Sequence, residues 1–560
     1  MPLRFTDRAD QAYHPPLTIR HLLDAALTTS GTQEIVYRDQ RRTTYNEFAS
    51  RIGRLASMLT SLGAKQGMTI AVLDWDSHRY LEAYFAIPMM GAVLQTANVR
   101  LPAPQLAYTL EHAKAEILLV HRDFFPLVDA ILPTLPSVKA VIAITDGTQD
   151  ALPAWACGEY EALSAAAAPD FPFEDFDENA VATTFYTTGT TGHPKGVCFT
   201  HRQIVLHTLA AKGAFGGSAH AASLGFGDVY MPLTPMFHVH AWGVPYIATL
   251  LGLKQVYPGR YEPEMLCRLR REHEVTYSHC VPTVLQMILQ TADKTGTDLQ
   301  GWKITIGGSA LSRALCAEGR RRGMDVHAGF GMSETAPTIS ISHLRLDEHG
   351  DEEKIVDTLT AAGVPIPLVQ ARIVDQDMNP MPHDGIARGE LVLRTPWLTA
   401  CYTGDSLASD ALWQGGWLHT QDIATIDERG YIRIRDRMKD VIKTGGEWID
   451  SIQLEGLLST VDGIAEASVI AVADAKWGER PLAVIVRKAG ATVTLEQLNA
   501  PVAMAIAAGE VTRYAKLERF EIVDQLPRTS VGKIDKKLLR ARFAVPQQSE
   551  AGAQASEALR

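Results

Sequence analysis

The segment YTTGTTGHPKG, from Tyr186 to Gly196, combines threonine hydroxyls, glycines and a lysine as a triphosphate-binding loop requires. Its glycines let backbone amides approach oxyanions without a Cβ penalty, its hydroxyls are compact donors, and its lysine adds a positive charge. The residues concerned are Thr187, Thr188, Gly189, Thr190, Thr191, Gly192 and Lys195. The loop is not a Walker motif, because Pro194 precedes the lysine and Gly196 follows it. The alternative is an ordinary polar turn after the apolar run 180–185.

The composition limits the classes of protein to which the chain can belong. Its 560 residues are 46% hydrophobic and 21% charged, as expected of a globular chain with several core-forming units. The net charge of −11 disfavours nucleic acid as a partner. The six cysteines form no CxxC pair, so neither a zinc knuckle nor a disulfide scaffold is predicted. Without a signal-peptide core or a run of about 18 apolar residues, we expect a soluble, cytoplasmic protein with no stable membrane insertion.

The order of apolar patterns predicts an α/β fold. Strand-like runs such as Thr69–Leu73 and 303–306 alternate with helical patterns such as the stripe in 45–62, which favours layers of parallel sheet and helix. Strand-and-turn patterns then predict a small β-rich subdomain at about 369–437. We therefore expect a large N-terminal domain at 1–437, a small α+β C-terminal domain at 438–545 and a poorly ordered tail at 546–560.

Six further motifs follow the glycine/threonine loop in order. They are TPMFHVHAWG (234–243), GGSAL (307–311), GFGMSET (329–335), HTQDIA (419–424), DRMKDVIKTGGEWI (436–449) and PRTSVGKID (527–535). Together with the loop they resemble the ANL superfamily of adenylate-forming enzymes, particularly its acyl-CoA synthetases. The resemblance covers about residues 15–545.

The resemblance implies a reaction in two halves that uses ATP, Mg²⁺ and coenzyme A. A carboxylate attacks the α-phosphate of ATP to give an acyl adenylate and pyrophosphate, and a thiol then displaces AMP. The glycine/threonine loop and Lys195 would hold the β- and γ-phosphates. Glu334, with Thr190, would bind Mg²⁺, which prefers hard oxygen ligands. The remaining nucleotide contacts would come from Gly308, Ser309, Gly329, Phe330, Gly331, Met332, Ser333, Asp422 and Arg437.

The resemblance also assigns roles to the C-terminal residues. Lys533 would reach the α-phosphate and the acyl carboxylate, which requires the C-terminal domain to be mobile and to close over the cleft. Lys439 would be the hinge. In the second half-reaction a coenzyme A tunnel would be lined by Gly445, Gly446, Glu447 and Trp448. Acetylation of Lys533, which would remove its charge, stays open.

The acyl pocket is expected around His238, Trp242, Gly307 and Gly329. His238 and His240 form an HxH pair, but no third ligand stands at a suitable spacing for zinc. The resemblance places His238 between the acyl pocket and the thiol tunnel, which implies a gate, and an imidazole there could also orient the carboxylate. Trp242, one helical turn later, would fill the part of the pocket that a long alkyl chain would need, and so favour a short or compact acid. Polar groups at His240, Tyr277, His279, Ser309 and His327 leave a hydroxylated or branched acid open, and also an ordinary hydrogen-bonded core.

One position departs from the family pattern. The family typically has TGD where this chain has Thr420-Gln421-Asp422, so a side chain replaces the usual glycine.

Three hypotheses follow. The first is AMP-forming ligation to coenzyme A of a short to medium monocarboxylic acid, optionally branched or 2-hydroxylated like 2-hydroxyisobutyrate. The second is adenylation of a medium-chain fatty or sulfur-containing acid for coenzyme A or a separate carrier protein. The third is a non-catalytic nucleotide-binding regulator, which the joint presence of Lys195, Glu334, Asp422 and Lys533 disfavours. Whether the chain forms a homodimer stays open.

Overall fold

The structure, a computed structural model, describes residues 3–147, 151–187, 193–216, 223–344, 350–530 and 532–543. The phosphate-loop residues 188–192 and the predicted tail 546–560 lie outside the described residues.

The N-terminal part of the chain contains two large sheets. Their strands are β1 (Glu34–Tyr37), β2 (Arg41–Thr44), β3 (Thr69–Leu73), β4 (Val93–Thr96), β5 (Ala115–His121), β6 (Ala140–Ile144), β7 (Gly158–Glu159), β8 (Val181–Thr187), β9 (Lys195–Thr200), β10 (Val229–Tyr230), β11 (Lys254–Tyr257), β12 (Tyr277–Cys280), β13 (Lys303–Ile306), β14 (Asp325–Gly331), β15 (Thr338–Ile341) and β16 (Val364–Pro365). Within the described residues the orders are β7-β6-β5-β3-β4-β8-β9 and β16-β15-β14-β13-β12-β10-β11-β1-β2. Most pairings are parallel; β2, β9, β15 and β16 join antiparallel.

Helices flank both sheets, as the alternating patterns predict. The helix Tyr45–Ser61 begins with a capping box between Thr44 and Glu47 and buries a stripe that includes Phe48 and Ile52. The α-helices of this part span Arg20–Ser30, Tyr45–Ser61, His78–Met89, Ala103–His112, Phe125–Ile131, Tyr160–Ala166, His201–Gly216, Val244–Leu250, Pro263–His273, Pro282–Thr295, Arg313–Arg321, Glu352–Leu359 and Ser406–Leu412.

An antiparallel sheet follows where strand-and-turn patterns predict it. It consists of β17 (Gln370–Val374), β18 (Gly389–Arg394), β19 (Leu418–Ile426) and β20 (Ile432–Arg437), in that order. Its register pairs Asp422 with Arg437.

The C-terminal part forms a smaller α+β unit with a hydrophobic core of its own. Its strands are β21 (Ile442–Thr444), β22 (Glu447–Ile449), β23 (Ile464–Asp474), β24 (Gly478–Arg487) and β25 (Phe520–Ile522), and its helices span Ser451–Leu458, Leu495–Ala507 and Lys536–Phe543. The predicted α/β class, with a large N-terminal and a small C-terminal domain, is confirmed. The boundary at 437/438 stays a prediction. None of the helices in the described ranges is long and apolar enough to cross a membrane.

Candidate active site

The predicted phosphate loop connects β8 and β9, whose ends pair Thr187 with Lys195. Thr188 to Gly192 lie outside the described residues. The ammonium of Lys195 lies 4.6 Å from the centre of the Tyr402 ring and 4.0 Å from Oδ2 of Asp405. The lysine is therefore held at the mouth of the loop by an aromatic face and a carboxylate.

Tyr402 connects this lysine to Glu334. Its hydroxyl donates to Oε1 of Glu334 at 2.6 Å, and its backbone pairs with Val197 of β9. Glu334 is only 7% exposed. Burial and this carboxylate both raise the pKa of Tyr402, so the phenol stays a donor.

The Glu334 carboxylate suits Mg²⁺, because it is a hard oxygen ligand beside the predicted phosphate site. The proposed second ligand, Thr190, lies outside the described residues. Among the residues that are described, no group of three or more His, Cys, Asp or Glu side chains is arranged to hold a metal ion.

Glycines open the carboxyl ends of β13 and β14. A Cβ placed on Gly331 would lie 2.0 Å from the carbonyl oxygen of Pro337, so this backbone contact excludes any side chain. Phe330 and Met332 are partly buried against the core of the β17–β20 sheet. Ser333 begins a short 3₁₀ turn that includes Glu334, and Ser309 is exposed.

Asp422 and Arg437 face each other across β19 and β20. Nε of Arg437 lies 3.3 Å from Oδ1 of Asp422. Burial raises the pKa of Asp422, and the charges of Arg437 and Lys533 oppose that rise. Gln421, where the family has glycine, adopts a φ of +58°, and its N–H donates to Glu390 at 3.0 Å. The backbone of Gln421 is thus in the left-handed region, which favours glycine.

Lys533 reaches the N-terminal domain from the C-terminal one. A Cβ on Gly308 would lie 3.5 Å from Cε of Lys533. The amide of Asn98 donates to the hydroxyl of Ser530 at 3.0 Å, beside the lysine. Burial, followed by the charge of Arg437, lowers the pKa of Lys533 to about 8, while Asp422 and Glu334 raise it.

The segment that follows His238 differs from the expected helix. Residues 239–243 all have positive φ, from +47° to +74°, so the turn that carries Trp242 is left-handed. The prediction of an ordinary helical turn is therefore wrong, although Trp242 still covers the predicted pocket: its ring would lie 3.0 Å from a Cβ on Gly307. Burial, with Lys533 and Arg100, lowers the pKa of His238 to about 3 and keeps the imidazole neutral.

The second histidine of the HxH pair belongs to the core. His240 is 1% exposed, its Nε2 lies 2.8 Å from the Thr183 hydroxyl, and its ring contacts Tyr84 and Phe185 edge-on.

The predicted coenzyme A residues form a hairpin turn between β21 and β22. Gly445 and Gly446 have φ of +58° and +88°, as a two-residue primed turn requires. The N–H of Gly445 donates to the carbonyl of Trp477, within the same domain. Glu447 and Trp448 are exposed, as is Lys439 at the predicted hinge.

Sequence reasoning missed Tyr402 and Asn98. Both act through partners distant along the chain, at separations of 68 and 432 residues. Neither lies in one of the motifs quoted above, so no local pattern marks them.

Comparison with known proteins places these features in a family. A model described as AMP-binding enzyme matches residues 23–403, and one described as AMP-binding enzyme C-terminal domain matches 453–533. The chain is 40% identical to a long-chain-fatty-acid–CoA ligase of Thermus thermophilus, over 94% of this chain and 96% of that protein. It is 37% identical to a 3-methylmercaptopropionyl-CoA ligase of Ruegeria lacuscaerulensis, over 94% and 97% of the two chains.

A solved structure shares the fold. The crystal structure of an anthranilate CoA ligase in complex with anthranoyl-AMP superposes with a TM-score of 0.82 at 21% identity, covering 94% of this chain and 97% of the other.

Proposed function

Because the chain belongs to the family of AMP-binding enzymes and is an acyl-CoA synthetase, we propose that it ligates a short to medium monocarboxylic acid to coenzyme A through an acyl adenylate. The observation that carries the proposal is the position of Lys533 at Gly308, with Asp422, Arg437 and Glu334 close enough to affect its pKa. A lysine from one domain meets a carboxylate-rich cleft of another only if both build one site.

In the first half-reaction an oxygen of the acid attacks the α-phosphate, and the bond to pyrophosphate breaks. Lys533 offsets the charge that develops on the acid and the α-phosphate, and Lys195 that on the leaving pyrophosphate. Asp422 and Arg437 orient the ribose. Mg²⁺, bound at Glu334, would neutralise phosphate charge.

In the second half-reaction the thiol of coenzyme A attacks the acyl carbon and AMP leaves. The hairpin of Gly445 to Trp448 would line the path of the thiol after the C-terminal domain turns. The neutral imidazole of His238 accepts or donates one hydrogen bond at the acid without adding charge.

The length and substitution of the acid are finer proposals. Trp242 lies against Gly307, which supports a short or compact acid, including one branched or hydroxylated at C2. A second candidate is a medium-chain or sulfur-containing acid, favoured by the relative named for 3-methylmercaptopropionyl-CoA.

The test is release of pyrophosphate and AMP over a panel of acids, with and without coenzyme A. The panel includes 2-hydroxyisobutyrate, 3-methylmercaptopropionate and straight-chain acids of increasing length. We expect pyrophosphate with the correct acid and sustained AMP release only with coenzyme A. Adenylation that needs a carrier protein would contradict the coenzyme A step, and binding of ATP without turnover would support a regulator.

A further inference from the structure

Three polar side chains form a row across the middle of the larger sheet. β12, β13 and β14 are adjacent and parallel, and their register places His279 beside Thr305 and Thr305 beside His327. All three side chains point to the same face of the sheet. We call them the polar row.

The polar row is unusual because the sheet is buried on both faces. The strands of such a sheet normally carry apolar side chains on either side. The polar row is nevertheless buried, with His279 and His327 at 0% exposure and Thr305 at 6%. The opposite face of the same strands is mostly apolar, with Cys280, Ile304, Ile306, Val326 and Ala328 in one hydrophobic cluster beside the buried Ser278.

The hydrogen bonds of the polar row are incomplete. The Thr305 hydroxyl lies 2.7 Å from both the Tyr277 hydroxyl and Nε2 of His327, and Nε2 of His279 lies 2.8 Å from the Tyr230 hydroxyl. In the part of the chain that the structure describes, Nδ1 of His279 and Nδ1 of His327 are buried without a partner. Buried polar atoms are usually paired. Ring nitrogens of His78, His201, His273 and His343 are also buried without a partner within the described residues, so the position of these two nitrogens beside the predicted acyl pocket is what points to a bound polar group. Burial lowers the pKa of both imidazoles to about 3, and a neutral Nδ1 can donate or accept.

The polar row lies directly behind the reaction centre. Gly307 and Gly329 stand two residues further along the same faces of β13 and β14, a step of about 6.6 Å. Trp242 covers Gly307, and its ring centre is 5.1 Å from that of His279. Since Lys533 lies at Gly308, the order from the cleft inward is Lys533, the glycines with Trp242, and then the polar row.

From this placement we propose that the polar row is a subsite for the tail of the acid, and that it hydrogen-bonds an oxygen-containing group, a carbonyl or hydroxyl, carried several carbons from the carboxylate. This inference rests on the proposed function and narrows its substrate class. It predicts discrimination against plain alkyl acids, because an alkyl tail would leave both nitrogens unpaired.

The experiment compares kcat/KM for AMP formation with matched acids: pentanoate against 4-oxopentanoate, and hexanoate against 5-oxohexanoate. For at least one pair we expect the oxo acid to be favoured by about tenfold, the scale of one buried hydrogen bond. His279→Phe and His327→Phe should abolish that preference while alkyl acids are still turned over. His201→Phe is the matched control, since His201 is also buried but lies in the helix His201–Gly216 and accepts from the N–H of Ile19.

The outcomes separate the two proposals. Absence of AMP with every acid would overturn the proposed function itself. Turnover with equal or better use of alkyl acids would overturn only the subsite, as would a preference that both histidine variants retain. If a phenylalanine variant does not fold, Thr305→Val replaces it, because that change removes the central hydroxyl at nearly constant volume; an unchanged preference would again overturn the subsite.

Discussion

The ammonium group of Lys533 is buried, and burial disfavours its charged form. Its pKa falls to about 8, whereas burial raises the pKa of Asp422. Each charge partly stabilises the other, and an anionic nucleotide would complete the balance. Lys533 is thus prepared for a ligand that brings negative charge.

Replacement of Lys533 by alanine should separate the two half-reactions. We expect Lys533→Ala to slow acyl-adenylate formation by about 10²–10³-fold, the usual cost of losing one charge-stabilising donor. Thioester formation from supplied acyl adenylate should stay near the wild-type rate. The measurement is pyrophosphate release against thioester formation in single turnovers, and equal loss in both would contradict the role.

The pKa of Lys533 also predicts a pH profile for the free enzyme. The lowered pKa means that the charged form is present below pH 8 and is lost as the pH rises through about 8. We therefore expect kcat/KM for adenylation to be level below that pH and to decline above it. Thioester formation from supplied adenylate is the control, since it should show no such decline. A level adenylation profile up to pH 10 would contradict the assignment.

Gln421 offers a test of backbone strain. Because its φ is +58°, Gln421→Gly should raise the free energy of unfolding by about 1 kcal/mol. Gln370, exposed in β17 with ordinary φ, is the matched control, and Gln370→Gly should lower it by about 0.5–1 kcal/mol. Urea titration of both variants measures the difference; a loss of stability in Gln421→Gly would show that the residue is not strained.

At the scale of elements, local sequence patterns predict several strands, whereas segments whose conformation depends on contacts distant along the chain are not predicted. The sequence predicts β3 and β13 with their observed bounds, because each is a short apolar or β-branched run. It could not predict the left-handed turn at 239–243, because the only glycine of that turn is its last residue, Gly243. Residues distant along the chain hold the segment just before the turn: Asp76 accepts from the N–H of Met236, and the Thr96 hydroxyl donates to the carbonyl of Phe237.

The candidate site divides in the same way. Lys195, Glu334, Asp422 and Lys533 stand in motifs whose order is visible in the chain, so sequence reasoning finds them. Tyr402 stands outside those motifs. Its hydrogen bond to Glu334 depends on the packing of its loop against β9, so sequence reasoning misses it. The three side chains of the polar row come together through the register of three neighbouring strands, which the amino-acid sequence alone does not specify.

A bulky substitution in the β21–β22 hairpin should slow only the second half-reaction. A Cβ on Gly446 would meet nothing within 4 Å, so a bulky side chain there has room in the present orientation. We expect Gly446→Trp to slow thioester formation by about 10²-fold, the scale that misplacing reacting groups by about 1 Å produces, and to spare adenylation.

A matched control separates blockage of the coenzyme A path from the backbone strain that any side chain causes at a glycine with positive φ. Gly490 has a φ of +74° and equally open surroundings in the same domain, so Gly490→Trp carries a similar backbone penalty. It should leave both half-reactions unchanged. If Gly446→Trp behaved like Gly490→Trp, the hairpin would not line the path of coenzyme A.

At the scale of the whole molecule, the two domains meet in the orientation that we propose for adenylation. Ser530 and Lys533 contact the N-terminal domain at Asn98 and Gly308, and Arg388 pairs with Asp450 at 2.7 Å on the other side of the boundary. The Gly445–Gly446 turn contacts Trp477 of its own domain. The proposed reaction needs Lys533 at the acyl group in its first half and this turn there in its second, so we propose that the C-terminal domain turns between the halves.

Locking the domains together tests that requirement. Cysteines at positions 98 and 530 can be joined by a short reagent that reductant cleaves, in a background where the exposed Cys157 and Cys401 are serine. The cross-linked Asn98→Cys, Ser530→Cys enzyme should still release pyrophosphate in a single turnover, because Lys533 stays at Gly308. It should form no thioester until reductant is added, whereas the same enzyme without reagent should complete both halves. Thioester formation at an undiminished rate while cross-linked would mean that both halves proceed in one orientation, because the lock leaves the hairpin no route to the acyl carbon.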